Sequence, residues 1–302
     1  MKEYKKVTII GDTSNFHLGS KLNYTEFRKL ITVKHNILQE IPYDTFGVEF
    51  IPFSKFFYDI KKSKWWKGLE NSDILIVHGE GLTEKRDNYV YPYLYFSQIA
   101  GELGIDSWLV NFSMYEIEPF LDFVKQFSYI ACRDILTHKH LSDYDIDAIL
   151  SFDCCVLDVK KQEYEEGDGT IIAIRGRKSI DQLIIDKFEK CVKLNCCWQW
   201  DKDALSLPSV YSYIERIRKS DFVLSTSFHG NIFSYLAGVP FISLDYSNKK
   251  YLALKLELLP DKGNFITLEN NKIFDNAFRK EIYDYYQNLR GKLIKRARLN
   301  CR

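Results

Sequence analysis

The sequence predicts an α/β protein of two successive domains on parallel sheets, ending in a long C-terminal helix. Three observations carry this. Short apolar runs alternate with longer amphipathic segments along the chain, the pattern of repeated βα units. The apolar runs are continuous rather than alternating, as strands buried on both faces of a parallel sheet require. A charged, glycine-containing stretch, DVKKQEYEEGDG (158–169), interrupts the periodicity near the middle and divides the chain into domains 1–157 and 158–302.

Taken in order, the strands expected in the first domain are VTIIG (7–11), VEFIPF (48–53), DILIVHG (73–79), SWLVNF (107–112), YIAC (129–132) and a weaker IDAIL (146–150). Those of the second are TIIAIRG (170–176), CCWQW (196–200), DFVLSTS (221–227) and PFISLDY (240–246). Helical spacing of apolar residues marks 54–70, 89–103, 134–142, 179–192, 209–219 and 229–237. The final helix, about 272–298, carries Ile282, Tyr286, Leu289, Leu293 and Ala297 on one face. Two such halves would turn strand C-terminal ends and helix N-termini toward a common cleft.

Composition narrows the class. With 42 Lys and Arg against 41 Asp and Glu in 302 residues, the net charge of +1 argues against a dedicated nucleic-acid binder. A 46% hydrophobic content supports a core in each half and excludes disorder. Seven cysteines, odd in number and without CxxC or metal-ligand spacing, read as reduced thiols. No stretch reaches the roughly 18–20 apolar residues of a membrane span. A cytoplasmic protein is therefore expected, with no metal. The last thirteen residues, RGKLIKRARLNCR, hold six basic and no acidic side chains. That end either complements the helix dipole or touches the inner face of a membrane peripherally.

The most informative segment is DFVLSTSFHGNIFSYLAGVPFISLDY (221–246): strand, polar turn, helix, glycine, proline, strand. Ser225, Thr226 and Ser227 end the strand, and Phe228, His229 and Gly230 open a helix, whose N-terminus favours an anion. Two readings stand: His229 touches a phosphate or carboxylate, or Ser227 is an N-cap and His229 an ordinary surface residue. In the first domain, Gly11, Asp12 and TSNFHLGS (13–20) form a second strand-to-helix turn. There Asp12 and His17 either contact a ligand or act as a base, or the loop only caps the helix. Glu80, between Gly79 and Gly81 beyond a buried strand, is a candidate ligand contact and base, with glycines that let a ligand approach the backbone. His78 beside it should point into the core. His138 and His140, two apart on a helix, cannot share a metal. Tyr89, Tyr91, Tyr93 and Tyr95 should divide between core and surface. Arg133 and Asp134 are expected to cap a helix or to pair internally.

The segment 221–246 resembles the signature of the polysaccharide pyruvyl transferase family: a strand ending in Ser, an Arg-x-His-Gly/Ala turn, a helix and Gly-Val-Pro. DILIVHGEGLTEK (73–85), IACRDILTHKHL (130–141), SFDCC (151–155) and TIIAIRGR (170–177) resemble further family segments in the same order. The resemblance implies two Rossmann-like domains in a glycosyltransferase-B-like arrangement. It also implies a pyruvyl ketal formed from phosphoenolpyruvate on a sugar of an exopolysaccharide or its lipid-linked oligosaccharide precursor, without a cofactor. His229 falls on the family's donor-binding and acid histidine and Arg175 on the arginine ending the second domain's first strand, with Arg177 as the alternative. Ser225, Ser227 and Gly230 belong to the donor turn, and Ser227 stands where the family pattern has arginine. A hydroxyl cannot make the bidentate charged contact of a guanidinium. A nucleotide-sugar transferase of the same fold, and a non-catalytic glycan-binding homologue, are the alternatives. The acceptor side is expected to be served by Glu80, Asp12, His17, Gly79 and Gly81.

Overall fold

The computed structural model describes residues 5–11, 17–42, 45, 50–83, 90–157, 163–175, 180, 182–186, 188–195, 204–205, 207–244 and 276–301. The chain divides into two compact units, one of Met1–Ser14, Asn23–Cys154 and Arg296–Arg302, the other of Asn15–Leu22 and Cys155–Lys295. Compared with a single cut at 157/158, the contacts group residues 15–22 with the second unit and 296–302 with the first.

The first unit holds a six-stranded sheet in the order β2-β1-β3-β4-β5-β6, parallel throughout. Its strands are β1 (Lys5–Gly11), β2 (His35–Pro42), β3 (Ile74–Thr83), β4 (Asp106–Met114), β5 (Tyr129–Cys132) and β6 (Ile149–Leu150). Helices α1 (Leu18–Thr32), α2 (Phe53–Lys62), α3 (Trp66–Glu70), α4 (Tyr91–Leu103), α5 (Leu121–Val124) and α6 (Ile135–Asp143) connect them. Ile74, Leu75, Ile76 and Val77 of β3 are fully buried, as a central strand covered on both faces must be. The order reverses between β1 and β3, so the C-terminal ends of those strands, Gly11 and His78–Gly81, mark the unit's switch point.

The second unit holds a four-stranded parallel sheet, β10-β9-β7-β8, of β7 (Ile171–Arg175), β8 (Cys191–Asn195), β9 (Phe222–Ser225) and β10 (Phe241–Ser243). Helices α7 (Gln182–Ile185), α8 (Val210–Arg218) and α9 (Phe228–Ala237) accompany it, and α10 (Asn276–Ala297) is the long terminal helix. Ile171, Phe222, Leu224 and Ile242 form the core against the sheet. Here the order reverses between β7 and β9, which places Arg175 and Ser225 at the switch point.

One strand expectation fails. Residues 50–52 are not strand, and Phe53 opens α2 after Pro52, whose φ of −58° suits a helix start and whose missing N–H suits no ladder. The second strand is instead HNILQEIP, an edge strand exposed on alternate residues and therefore lacking the continuous apolar run that marked the others. CCWQW (196–200) lies outside the described residues; β8 occupies CVKLN just before it and begins within the last two residues of the helix expected over 179–192. The helix expected over 54–70 breaks at Ser63, whose hydroxyl donates to the Ile60 carbonyl at 2.7 Å and accepts from the Trp65 amide at 3.2 Å.

Candidate functional site

In the second unit, the turn between β9 and α9 is built by its own hydroxyls. Ser227 is the N-cap of α9, and its Oγ accepts from the Gly230 amide at 3.2 Å. Ser225 Oγ donates to the Ser227 carbonyl and accepts from the Ser227 amide, both at 3.0 Å. The Thr226 amide reaches across to the Ile174 carbonyl of β7 at 3.0 Å. Gly230 has no room for a side chain: a Cβ would stand 2.6 Å from Ser225 Oγ and 2.8 Å from Ile174 Cγ2. Ser225, Ser227 and Gly230 thus hold the turn tightly against β7, and this places the next residue, His229.

His229 is buried, 5% exposed, with its ring edge-on to Phe228 at 5.4 Å. The ring of His17 lies 5.0 Å away, tilted by 55°. Gly19 makes that approach possible, because a Cβ there would fall 2.0 Å from His229 Cγ. His17 Nδ1 accepts from the Gly19 and Ser20 amides at 3.1 and 3.3 Å, capping α1, so its proton resides on Nε2. Cys155 Sγ donates to the Gly19 carbonyl at 3.5 Å. His17, assigned to the acceptor from sequence, therefore sits with His229 in the second unit. Arg175 ends β7, half-buried, in register with Asn195, and its neighbour Ile174 is in register with Ser225. Asp12 and Arg177 lie outside the described residues.

In the first unit, Glu80 takes a left-handed φ of 46°, and Asn111 on the facing strand takes 53°. The β3–β4 register passes from His78↔Val110 to Glu80↔Phe112, so both strands kink at one level. Gly79 serves packing there: a Cβ would meet Phe112 Cβ at 2.6 Å and Leu82 Cδ1 at 2.7 Å. Gly81, paired with Ser113, continues β3 beyond the kink.

A buried polar network gathers at this level. Asn111 donates from Nδ2 to Asn23 Oδ1 at 3.0 Å, stands 3.0 Å from His78 Nε2, and accepts at Oδ1 from the Cys154 amide at 3.2 Å. Its own amide, taken out of the ladder by the kink, donates to Asn300 Oδ1 at 2.8 Å. Asp134 caps α6, accepting from the Thr137 amide and hydroxyl, each at 2.8 Å. Arg133 Nη1 binds Asp153 Oδ2 at 2.8 Å, with both side chains 1% exposed, and its Nε donates to Ser113 at 3.0 Å. Burial alone would lower the Arg133 pKa, but the carboxylates of Asp153 and Glu80 outweigh it and hold the pKa above the usual value.

Burial, reinforced by the Arg133 charge, holds the His78 pKa down at about 3, so this imidazole is neutral in the folded unit. The unfolded chain, with a pKa near 6.5, binds the proton first. The stabilisation is therefore complete above pH 6.5 and is lost as pH falls toward 3. At about 1.4 kcal/mol per pH unit, acidification from pH 6.5 to 5 should cost the native protein on the order of 2 kcal/mol through this group. Urea denaturation of the native protein and of His78→Gln at pH 7 and 5 checks it. An equal pH dependence in the two proteins would remove His78 from the account.

Elsewhere the chemistry is structural. His138 contacts the Ala148 carbonyl at 3.0 Å, while His140 stands 3.4 Å from Glu118. Tyr93 and Tyr95 are buried, Tyr91 is half-buried, and Tyr89 lies outside the described residues. At the C-terminal end, Arg296 donates twice to the Ser151 carbonyl, at 3.1 and 2.7 Å, and lies over the Phe152 ring. Among the described residues no helix is long and apolar enough to cross a membrane.

The family model for polysaccharide pyruvyl transferase matches residues 27–248. The chain belongs to that family. The match takes in Glu80, the Arg133–Asp153 pair, Arg175 and the whole β9–α9 turn, while His17 and Asn300 fall outside it. No curated protein matches the chain. Among solved structures, a putative UDP-N-acetylglucosamine 2-epimerase from Listeria monocytogenes is 11% identical with a TM-score of 0.56, over 98% of this chain and 92% of that one. The S. aureus MnaA structure with UDP is 12% identical at a TM-score of 0.58, over 99% and 93%. Phytolacca americana UGT2, complexed with UDP-2fluoro-glucose and pterostilbene, is 9% identical at 0.56, over 96% and 94%. These likenesses define the fold, which is of the glycosyltransferase-B type, as the family membership implied.

Two features escaped the sequence reading. Asn111, Asn23 and Asn300 come together from distant elements, and no local pattern marks them. The proximity of His17 to His229 depends on Gly19, whose helical context gives no sign of a partner.

Proposed function

We propose that this family member transfers the pyruvyl group of phosphoenolpyruvate to two hydroxyls of a hexose, in a surface polysaccharide or its lipid-linked precursor, as a cyclic ketal. The observation that carries the reading is His229, seated by the Ser225–Gly230 turn in the first turn of a buried helix at the second unit's switch point. In the reaction, a proton added to the methylene carbon of phosphoenolpyruvate makes C2 electrophilic. One sugar hydroxyl adds to C2 and gives up its proton, the C2–O bond to phosphate breaks, and the second hydroxyl closes the ketal as its proton leaves. His229 supplies the first proton, and Arg175 with the α9 dipole neutralises the anionic donor. In the first unit, Glu80 is the base and acceptor contact, at a kinked strand end where the chain is already bent out of regular sheet. Asp12 and Arg177 remain proposed partners on the acceptor and donor sides. The exposed Lys292, Lys295 and Arg298 are the groups that would touch an anionic membrane surface at the cytoplasmic face.

One observation favours a second reading. Ser227 serves as an N-cap and brings no charge, and S. aureus MnaA and Phytolacca UGT2, which share the fold, were solved with UDP or a UDP-sugar. A nucleotide-sugar donor would suit such a turn.

Titration calorimetry and thermal shift with phosphoenolpyruvate, beside a panel of nucleotide sugars, separate the two. Saturable stabilisation by phosphoenolpyruvate is expected, lost in Arg175→Ala and His229→Ala. Phosphate release with a glycan acceptor should fall at least about a hundredfold in His229→Ala, the range of a missing general acid. Stabilisation by one nucleotide sugar alone would replace the pyruvyl donor. Binding of sugar without turnover would point to a glycan-binding protein.

A further inference from the structure

Asn231 lies in the first turn of α9, two residues beyond His229, and is only 1% exposed. Neither its Nδ2 nor its Oδ1 has a hydrogen-bond partner among the described residues. Buried amides are nearly always satisfied, so this one costs stability unless it serves something else. Its backbone is regular, the amide donating to the Ser227 carbonyl at 3.1 Å, so local strain does not account for the side chain. Helical side chains lean toward the N-terminus of their helix, and this one leans toward the turn that carries Ser227 and His229. Ser243 Oγ is likewise buried and without a partner among the described residues, at the end of β10 where Ser243 is in register with Ser225. Two unsatisfied polar groups thus occur at one end of one sheet, beside a helix N-terminus.

We propose that Asn231 is a further donor-site residue, its amide N–H group donating to a carboxylate or phosphate oxygen of the donor. The assignment rests on the reading that phosphoenolpyruvate binds at this turn. A neutral amide here complements the histidine by fixing the orientation of the anion without adding charge.

Replacing the amide by an apolar side chain of similar size separates a ligand contact from a mere buried orphan. In Asn231→Leu the unsatisfied atoms are gone, so the free protein should melt no lower than the native one. Its calorimetric dissociation constant for phosphoenolpyruvate should nevertheless rise at least tenfold. Asn231→Ala, which suits a helix interior and introduces no larger side chain, should show the same loss even if the leucine packs poorly. Native affinity in either folded variant would overturn the assignment. With His229→Ala measured in parallel, loss of binding there and retention in both Asn231 variants would leave the donor reading standing and remove Asn231 from it. No response of the native protein to phosphoenolpyruvate would remove both.

Discussion

Arg133→Met should destabilise the first unit by about 3–5 kcal/mol, the range for removing one partner of a buried ion pair. Arg133 and Asp153 are each 1% exposed, and Asp153 also accepts from Asn23 Nδ2 at 3.1 Å, a neutral contact that does not replace the guanidinium charge. The methionine fills much of the volume, so the loss is chiefly electrostatic: the Asp153 carboxylate is left in a dry interior without its guanidinium. The double variant Arg133→Met/Asp153→Leu should recover a substantial part of the deficit, because the desolvation of both charges is then removed. By contrast, Lys5 and Asp106, 3.5 Å apart and 57% and 50% exposed, form a pair of the kind that contributes at most about 1 kcal/mol. Urea denaturation followed by circular dichroism measures all three. An Arg133→Met protein within about 1 kcal/mol of native would show that the pair is not the electrostatic centre of this unit.

Gly19→Ala should destroy donor binding while the same substitution at Gly101 stabilises the protein. Both glycines lie in helices, where alanine is better by about 0.8–1 kcal/mol. A Cβ at Gly101 meets nothing within 4 Å, so that gain should appear whole. At Gly19 the new methyl would fall 2.0 Å from His229 Cγ and 2.4 Å from its Cβ. The Cβ is anchored to α9 and cannot swing aside by rotation, so the ring or the helix must move. Overpacking of this kind costs about 1–3 kcal/mol, enough to cancel the helical gain and reverse its sign. The larger effect is on the site, since His229 is displaced from the position its turn defines. Thermal melts and phosphoenolpyruvate titrations of both variants decide the matter. A Gly19→Ala protein as stable as Gly101→Ala and still binding would show that His229 does not need its present seat.

The parts that were legible in the sequence share a local cause. YIAC and DILIVHG read as buried strands because four or more consecutive apolar residues suit a strand covered on both faces of a parallel sheet. The β9–α9 turn was legible because capping is decided within four residues, by Ser227 and the amide it reaches. Where the burial was one-sided, as in β2, the same rule gave no signal, and Pro52 turned an apparent strand into a helix start.

Sequence alone thus determined the α/β class, most strand positions, the family resemblance and the identity of the turn that seats His229, since each depends on periodicity or on contacts a few residues long. Only tertiary structure decided that Arg133 would meet Asp153, that Asn300 would meet Asn111, that His17 would lie against His229, and that Asn231 would be buried with no side-chain partner among the described residues. The physical reason is that these contacts join residues brought together by the winding of whole sheets. A side chain's partner across such a distance is set by how the elements pack, which no short window of the chain contains.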